Sequence, residues 1–152
     1  MKNRKTLPVY LVDDDIIMIK LLKHKLTLLN IEVIGSFEKG EDCIELAKNT
    51  PGIILLDFSL IGLNGLDTLV MIKKKLPKLH VIILTSLKDE SLKHKCLNEG
   101  AYNYINKSLG DEQAMFQEIY DNIQELSKPK FPKPVLLAGA FFLLLIIFYL
   151  IF

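Results

Sequence analysis

The run Gly52-Ile53-Ile54-Leu55-Leu56-Asp57 limits what this chain can fold into more than any other stretch. Four consecutive apolar residues cannot offer one face to a core and the other to water, so a strand built from them is covered on both sides. Pro51-Gly52 before the run and Gly62, Asn64 and Gly65 after it mark its limits. A strand of that kind belongs to a parallel sheet between two layers of helices. In such sheets ligands and chemistry collect just beyond the carboxyl ends of the strands, where Asp57 stands.

The rest of the chain repeats the pattern. Val9-Tyr10-Leu11-Val12 and Val81-Ile82-Ile83-Leu84 are further apolar strands, ending in Asp13-Asp14-Asp15 and Thr85-Ser86. Ile31 to Phe37 and Tyr102 to Ile105 read as two more, the second running into Asn106-Lys107. Helical spacing falls between them. Ile16, Ile19, Leu22, Leu26 and Leu29 form one stripe, with Asp15 placed to cap it. Glu41 to Lys48 is a short helix with Ile44 and Ala47 inward. Leu66, Leu69, Val70 and Ile72 give another that stops at Leu76-Pro77. A basic segment ends at Glu99-Gly100, and Asp111 to Leu126 carries Met115, Ile119, Ile123 and Leu126 on one side. Five strand–helix alternations with short connections predict an α/β, doubly wound, five-stranded parallel sheet; with the flavodoxin-like strand order 2-1-3-4-5, its strand ends would converge on one rim.

Composition divides the chain. Half of the 152 residues are hydrophobic, yet 135–152 hold no charged residue. A net charge of +1 gives no electrostatic case for nucleic acid. Cys43 and Cys96 have no partners at metal-ligand spacing and read as reduced, partly buried thiols; His24, His80 and His94 are too scattered for a zinc site. The division expected is a tail at 1–6, one domain at 7–127, a Lys/Pro linker at 128–134 and an apolar segment at 135–152. As a helix that last segment measures about 27 Å, against a hydrocarbon core of about 30 Å. It is read as a C-terminal transmembrane anchor with no output domain after it. Lys128, Lys130 and Lys133 favour a cytoplasmic position for the domain before it.

The polar residues at the strand ends complement one another: Asp13 and Asp14 from the first strand, Asp57 from the third, Thr85 from the fourth, Lys107 from the fifth. Neighbouring strands lie about 4.8 Å apart, so the order 2-1-3-4-5 brings these side chains to one rim. Three carboxylates that close call for a cation, and oxygen-only donors suit a hard, partly hydrated Mg2+. A carboxylate beside a metal, a hydroxyl and an ammonium can attack phosphorus while its neighbours neutralise the phosphoryl oxygens. Singly, each residue is better read as a helix cap, a turn residue or a solvated lysine; the weight lies in the set.

On these motifs, together with Gly62-Leu63-Asn64-Gly65-Leu66 and Gly100-Ala101-Tyr102-Asn103-Tyr104-Ile105-Asn106-Lys107, the chain from Leu7 to about Leu126 resembles a response-regulator receiver domain of two-component signalling. The resemblance implies that Asp57 accepts a phosphoryl group from a histidine kinase or phosphotransfer protein. It implies Mg2+ held by Asp13, Asp14, Asp57 and the Ser59 backbone carbonyl, with Thr85 and Lys107 on the phosphoryl oxygens. Tyr104 matches the aromatic whose rotamer follows Thr85, and the signalling surface is the fourth helix, fifth strand and fifth helix. Such a domain is not an enzyme beyond its own phosphorylation and dephosphorylation. It signals to a downstream protein by contact. Two positions depart from the family pattern: Ile61 and Ser108 replace the usual prolines.

Other readings remain open on sequence alone. The chain could be an unphosphorylated receiver-like membrane adaptor. Asp13-x-Asp15 also resembles the haloacid-dehalogenase phosphatase motif, although no later acidic motif follows and Asp57 would have no role. A flavodoxin-type binding module lacks the phosphate loop, and three acids after the first strand would repel an FMN phosphate.

Overall fold

The computed structural model describes residues 6–107 and 112–129. Strands β1 (Val9–Val12), β2 (Val33–Phe37), β3 (Gly52–Asp57), β4 (Leu79–Thr85) and β5 (Asn103–Asn106) alternate with helices α1 (Ile16–Leu28), α2 (Gly40–Leu46), α3 (Gly65–Lys75), α4 (Glu90–Asn98) and α5 (Glu112–Leu126). The strands form one sheet in the order β2-β1-β3-β4-β5, and every pairing is parallel. The expected flavodoxin-like topology is therefore the one observed.

The unbroken apolar run has a direct structural cause. Successive side chains point to opposite faces of a strand, so Ile54 and Leu56 enter one core and Ile53 and Leu55 the other. The first core includes Cys43, Ile44, Leu69, Ile72 and Cys96. The second includes Leu22, Leu26, Ile119 and Ile123. All six residues of β3 are buried. β2, at the sheet edge, alternates half-buried and exposed positions instead.

Several boundaries and stripe positions differ from the sequence reading. Ile16 is 47% exposed and Leu29, beyond the helix, 45%, so only Ile19, Leu22 and Leu26 carry the α1 core face. On α3, Val70 is exposed while Thr68 is fully buried against Gly40. β4 extends two residues earlier and one later than its apolar run, because pairing with β3 continues from Gly52↔Leu79 to Asp57↔Leu84. β2 begins at Val33 rather than Ile31, and β5 is shifted one residue towards Asn106. Cys43 and Cys96 are buried and free. Burial pushes the Cys43 thiol up to about 12.

The expected transmembrane helix at 135–152 and most of the linker lie outside the described residues. Among the described residues, no helix is long and apolar enough to cross a membrane.

Candidate functional site

The loops at the carboxyl ends of β1, β3, β4 and β5 meet at one rim of the sheet. Parallel pairing puts β1 beside β3 and β3 beside β4, so the residues that follow Val12, Leu56 and Leu84 are brought together by register alone. Asp13 and Asp57 are buried, and Asp14 is half-buried. One carboxylate oxygen from each of these three residues lies within 4.8 Å of the others.

Lys107 joins the cluster from the opposite side of the sheet. Its Nζ donates to Asp13 Oδ2 and to Asp57 Oδ1, each at 2.6 Å. Its backbone N–H donates to the Thr85 carbonyl, which aligns the end of β5 with β4. The other carboxylate oxygens of Asp13 and Asp57 have backbone donors. Ser59 N–H donates to Asp57 Oδ2 at 2.9 Å, and Asp15 N–H donates to Asp13 Oδ1 at 2.9 Å.

The charges are mutually adjusted. Burial raises the Asp57 carboxyl above its ordinary value; Lys107 and the Ser59 N–H act in the opposite sense, and Asp13 adds to the rise. Burial also works against the Lys107 ammonium, but hydrogen bonds to Asp13 and Asp57 and their charges outweigh it, so Lys107 is raised. A buried carboxylate whose charge is incompletely compensated attracts a further cation. The donor set is all oxygen and fits a hard divalent ion.

The loop from β3 to α3 is shaped by two glycines. Gly62 has φ +95°, a conformation that side chains with a Cβ rarely adopt. At Gly65 a Cβ would sit 2.5 Å from Phe58 Cα and 2.8 Å from Phe58 O, so the start of α3 can lie against the backbone just after Asp57 only without a side chain. Asn64 caps α3, accepting from Asp67 N–H. Ile61 projects from this loop, 73% exposed. Ser108 lies outside the described residues.

Thr85 is fully buried at the end of β4, its hydroxyl accepting from Leu87 N–H at 3.1 Å. Tyr104 is turned inward and buried. Its hydroxyl donates to the Leu87 carbonyl at 3.4 Å, and Asn106 Nδ2 donates to the same oxygen at 2.9 Å. Burial raises the Tyr104 phenol, with the neighbouring Thr85 hydroxyl acting against it. Thr85 and Tyr104 are thus linked through one short loop, which also borders a cleft of about 400 Å³ between α4, β5 and α5.

The structure therefore brings together Asp13, Asp14, Asp57 and Lys107, and places Thr85 and Tyr104 on the adjoining loop. Asp15 does not join them: exposed at the rim, its carboxylate accepts from Ile17 N–H and caps α1. Two supporting residues escape the sequence reading. Glu41 Oε1 accepts from Leu63 N–H across 22 positions, and Asn106 holds the Leu87 carbonyl across 19. Neither sits in a pattern that marks it.

Residues 9–120 match the family model described as the response regulator receiver domain. The chain belongs to that family. Response regulator VraR of Staphylococcus saprophyticus is 30% identical over 118 residues, 75% of this chain and 56% of that protein, so the chain spans about half of that relative's length. The response regulator domain of Thermotoga maritima CheB is 26% identical with a TM-score of 0.67, covering 83% of this chain and 99% of that one. A chain of the CheX–CheY–BeF3–Mg2+ complex of Borrelia burgdorferi is 27% identical with a TM-score of 0.68, covering 76% and 87%. Response-regulator receivers are phosphorylated on an aspartate, bind Mg2+ in an acidic pocket of this kind and are mostly signalling domains without enzymatic activity.

Proposed function

We propose that this protein is a membrane-tethered receiver that takes a phosphoryl group on Asp57 and passes the signal by protein contact. The observation that carries the reading is Lys107 Nζ at 2.6 Å from both Asp13 and Asp57, with Asp14 completing the acidic cluster. Asp13, Asp14, Asp57 and the Ser59 carbonyl would hold Mg2+, which when bound supplies positive charge for the phosphoryl oxygens. The Asp57 carboxylate attacks phosphorus, and the phosphorus–nitrogen bond of a phosphohistidine on a kinase or phosphotransfer protein breaks. The electron pair leaves on the imidazole nitrogen, and an acyl phosphate forms. The Lys107 ammonium and the Thr85 hydroxyl then pair with the new phosphoryl oxygens. A shift of Thr85 towards phosphorus to do so would draw its hydroxyl away from the Leu87 N–H. That frees the loop Tyr104 grips and alters the face of α4, β5 and α5 for a downstream partner.

Membrane attachment rests on the uncharged run 135–152 and the lysines at 128, 130 and 133. It would keep the domain on the cytoplasmic side and raise its effective concentration near membrane-bound kinases or targets.

The test is acetyl-phosphate labelling in Mg2+. Loss of label in Asp57→Asn with retention in Asp15→Asn supports the receiver. Turnover that depends only on Asp15 would overturn it in favour of a phosphatase. An unphosphorylated adaptor would also fail to bind beryllofluoride with Mg2+.

A further inference from the structure

The two ends of the domain carry opposite chemistry. Each parallel strand starts at one end and each helix finishes there, so the amino-terminal edge of the sheet collects the carboxyl ends of all five helices. Exposed Lys48, Lys74, Lys75, Lys78, Lys95 and Lys128 lie at this end, offset in part by Glu32, Glu45, Glu99 and Glu125. At the opposite end acids dominate, Asp14, Asp15, Glu41, Asp42, Asp67 and Glu90 among them, offset in part by Lys39 and Lys88. The basic loops adjoin one another, since Lys78 N–H donates to Asn49 Oδ1 and Lys73 packs beside Gly100. Apolar groups stand among them: Leu28 and Leu46 are each 66% exposed, and Leu29 is 45% exposed.

The chain leaves the domain from this same end. Ser127 Oγ accepts from Leu7 N–H at 2.9 Å, which pins the end of α5 beside the start of β1. Beyond Pro129 the sequence adds Lys130 and Lys133 and then nineteen uncharged residues, Pro134 first. A seven-residue Lys/Pro spacer in extended form reaches about 22 Å. The basic end is thus tethered close to whatever the apolar run enters.

We propose that this end of the domain docks on an anionic phospholipid bilayer, lysines against headgroups and exposed leucines at the interface. The inference rests on the reading of 135–152 as a membrane anchor. Basic side chains within a Debye length of an anionic leaflet are attracted to it, and the acidic end is repelled. Docking therefore turns Asp57 and the α4–β5–α5 face away from the lipid, towards protein partners. A merely flexible tether would present every orientation.

The test reconstitutes the full chain with phosphatidylcholine vesicles, alone or with roughly one-third phosphatidylserine. Flotation reports attachment, and peptide-resolved lysine acylation reports the face. The expected result is flotation with both lipids. Acylation of Lys48 and Lys78 should be at least tenfold slower only with the anionic lipid, with Lys88 unchanged. High salt, and for Lys48 the variant Lys74→Glu/Lys75→Glu/Lys78→Glu, should abolish the slowing; Lys88→Glu should not. Flotation with both lipids but equal acylation rates would overturn the docking face and leave the anchor standing. Flotation and slowing with the anionic lipid alone would overturn the anchor and keep the face. No flotation with either would overturn both.

Discussion

Replacing Lys107 by Met keeps most of the aliphatic stem and removes the charge, which isolates the ammonium's role in the site. Its side chain is 12% exposed, and those of Asp13 and Asp57 are 3% and 6% exposed. At an effective dielectric near 20, each pair of charges about 4 Å apart is worth about 4 kcal/mol, against several kcal/mol to desolvate each ion. Removing one partner of a buried pair typically costs about 3–5 kcal/mol. Asp57 can relieve part of this by taking a proton, since burial already raises its carboxyl. We expect a loss of about 3 kcal/mol in EDTA near neutral pH. The assay is urea unfolding of the full chain in a non-ionic detergent. Without Lys107 the carboxyl of Asp57 rises further, so the loss should be smaller at about pH 5 than at about pH 8. Saturating Mg2+ should narrow the gap between variant and wild type by at least about 1 kcal/mol, because an ion replaces the missing positive charge. A loss below about 0.5 kcal/mol, or a gap that Mg2+ widens, would refute Lys107 as the resident counter-charge of the acidic cluster.

Asp57→Asn should stabilise the Mg2+-free protein above the ordinary carboxylate range. With its carboxyl raised, folded Asp57 binds a proton more tightly than unfolded chain does, so its contribution favours folding at low pH and is lost as pH rises through the raised value; urea midpoints in EDTA across that range check the sign. Lys107 follows the same sign at higher pH: its contribution is complete below 10.5 and disappears as pH rises through its raised value. Gly65→Ala should cost about 2 kcal/mol and slow acetyl-phosphate labelling, because the added Cβ meets the Phe58 backbone and must displace Ser59 and Asp57. Gly35→Ala, whose Cβ meets the edge of the Tyr10 ring instead, should cost less and leave labelling unchanged. Cys43, with its thiol raised to about 12 and no exposed surface, should resist iodoacetamide at neutral pH until the protein unfolds; rapid labelling of the native chain would contradict the packing of α2.

Local patterning in this chain determined the fold class and most of the site. Strands buried on both faces cannot hide their sequence, because continuous apolar runs such as Ile53 to Leu56 have few other uses. The polar residues that end those runs are equally visible, so Asp13, Asp14, Asp57, Thr85 and Lys107 could be read before their neighbours were known. Positions set by contacts between distant segments could not. Val70 and Thr68 are interchanged relative to a hydrophobicity reading because a close approach to Gly40, far away in sequence, fills the space at Thr68. Tertiary structure alone decided which acids join the cluster and which does not: Asp15, next to Asp13 and Asp14 in sequence, turns outward to cap α1. It also decided that Glu41 holds the β3–α3 loop and that Asn106 and Tyr104 meet at one carbonyl. These are contacts between residues 17 to 94 positions apart, and their geometry depends on strand register, which no single stretch of the chain encodes. The sorting of lysines to one end and acids to the other belongs to the same class, for it emerges only when four parallel crossovers and the final helix stack the helix termini together.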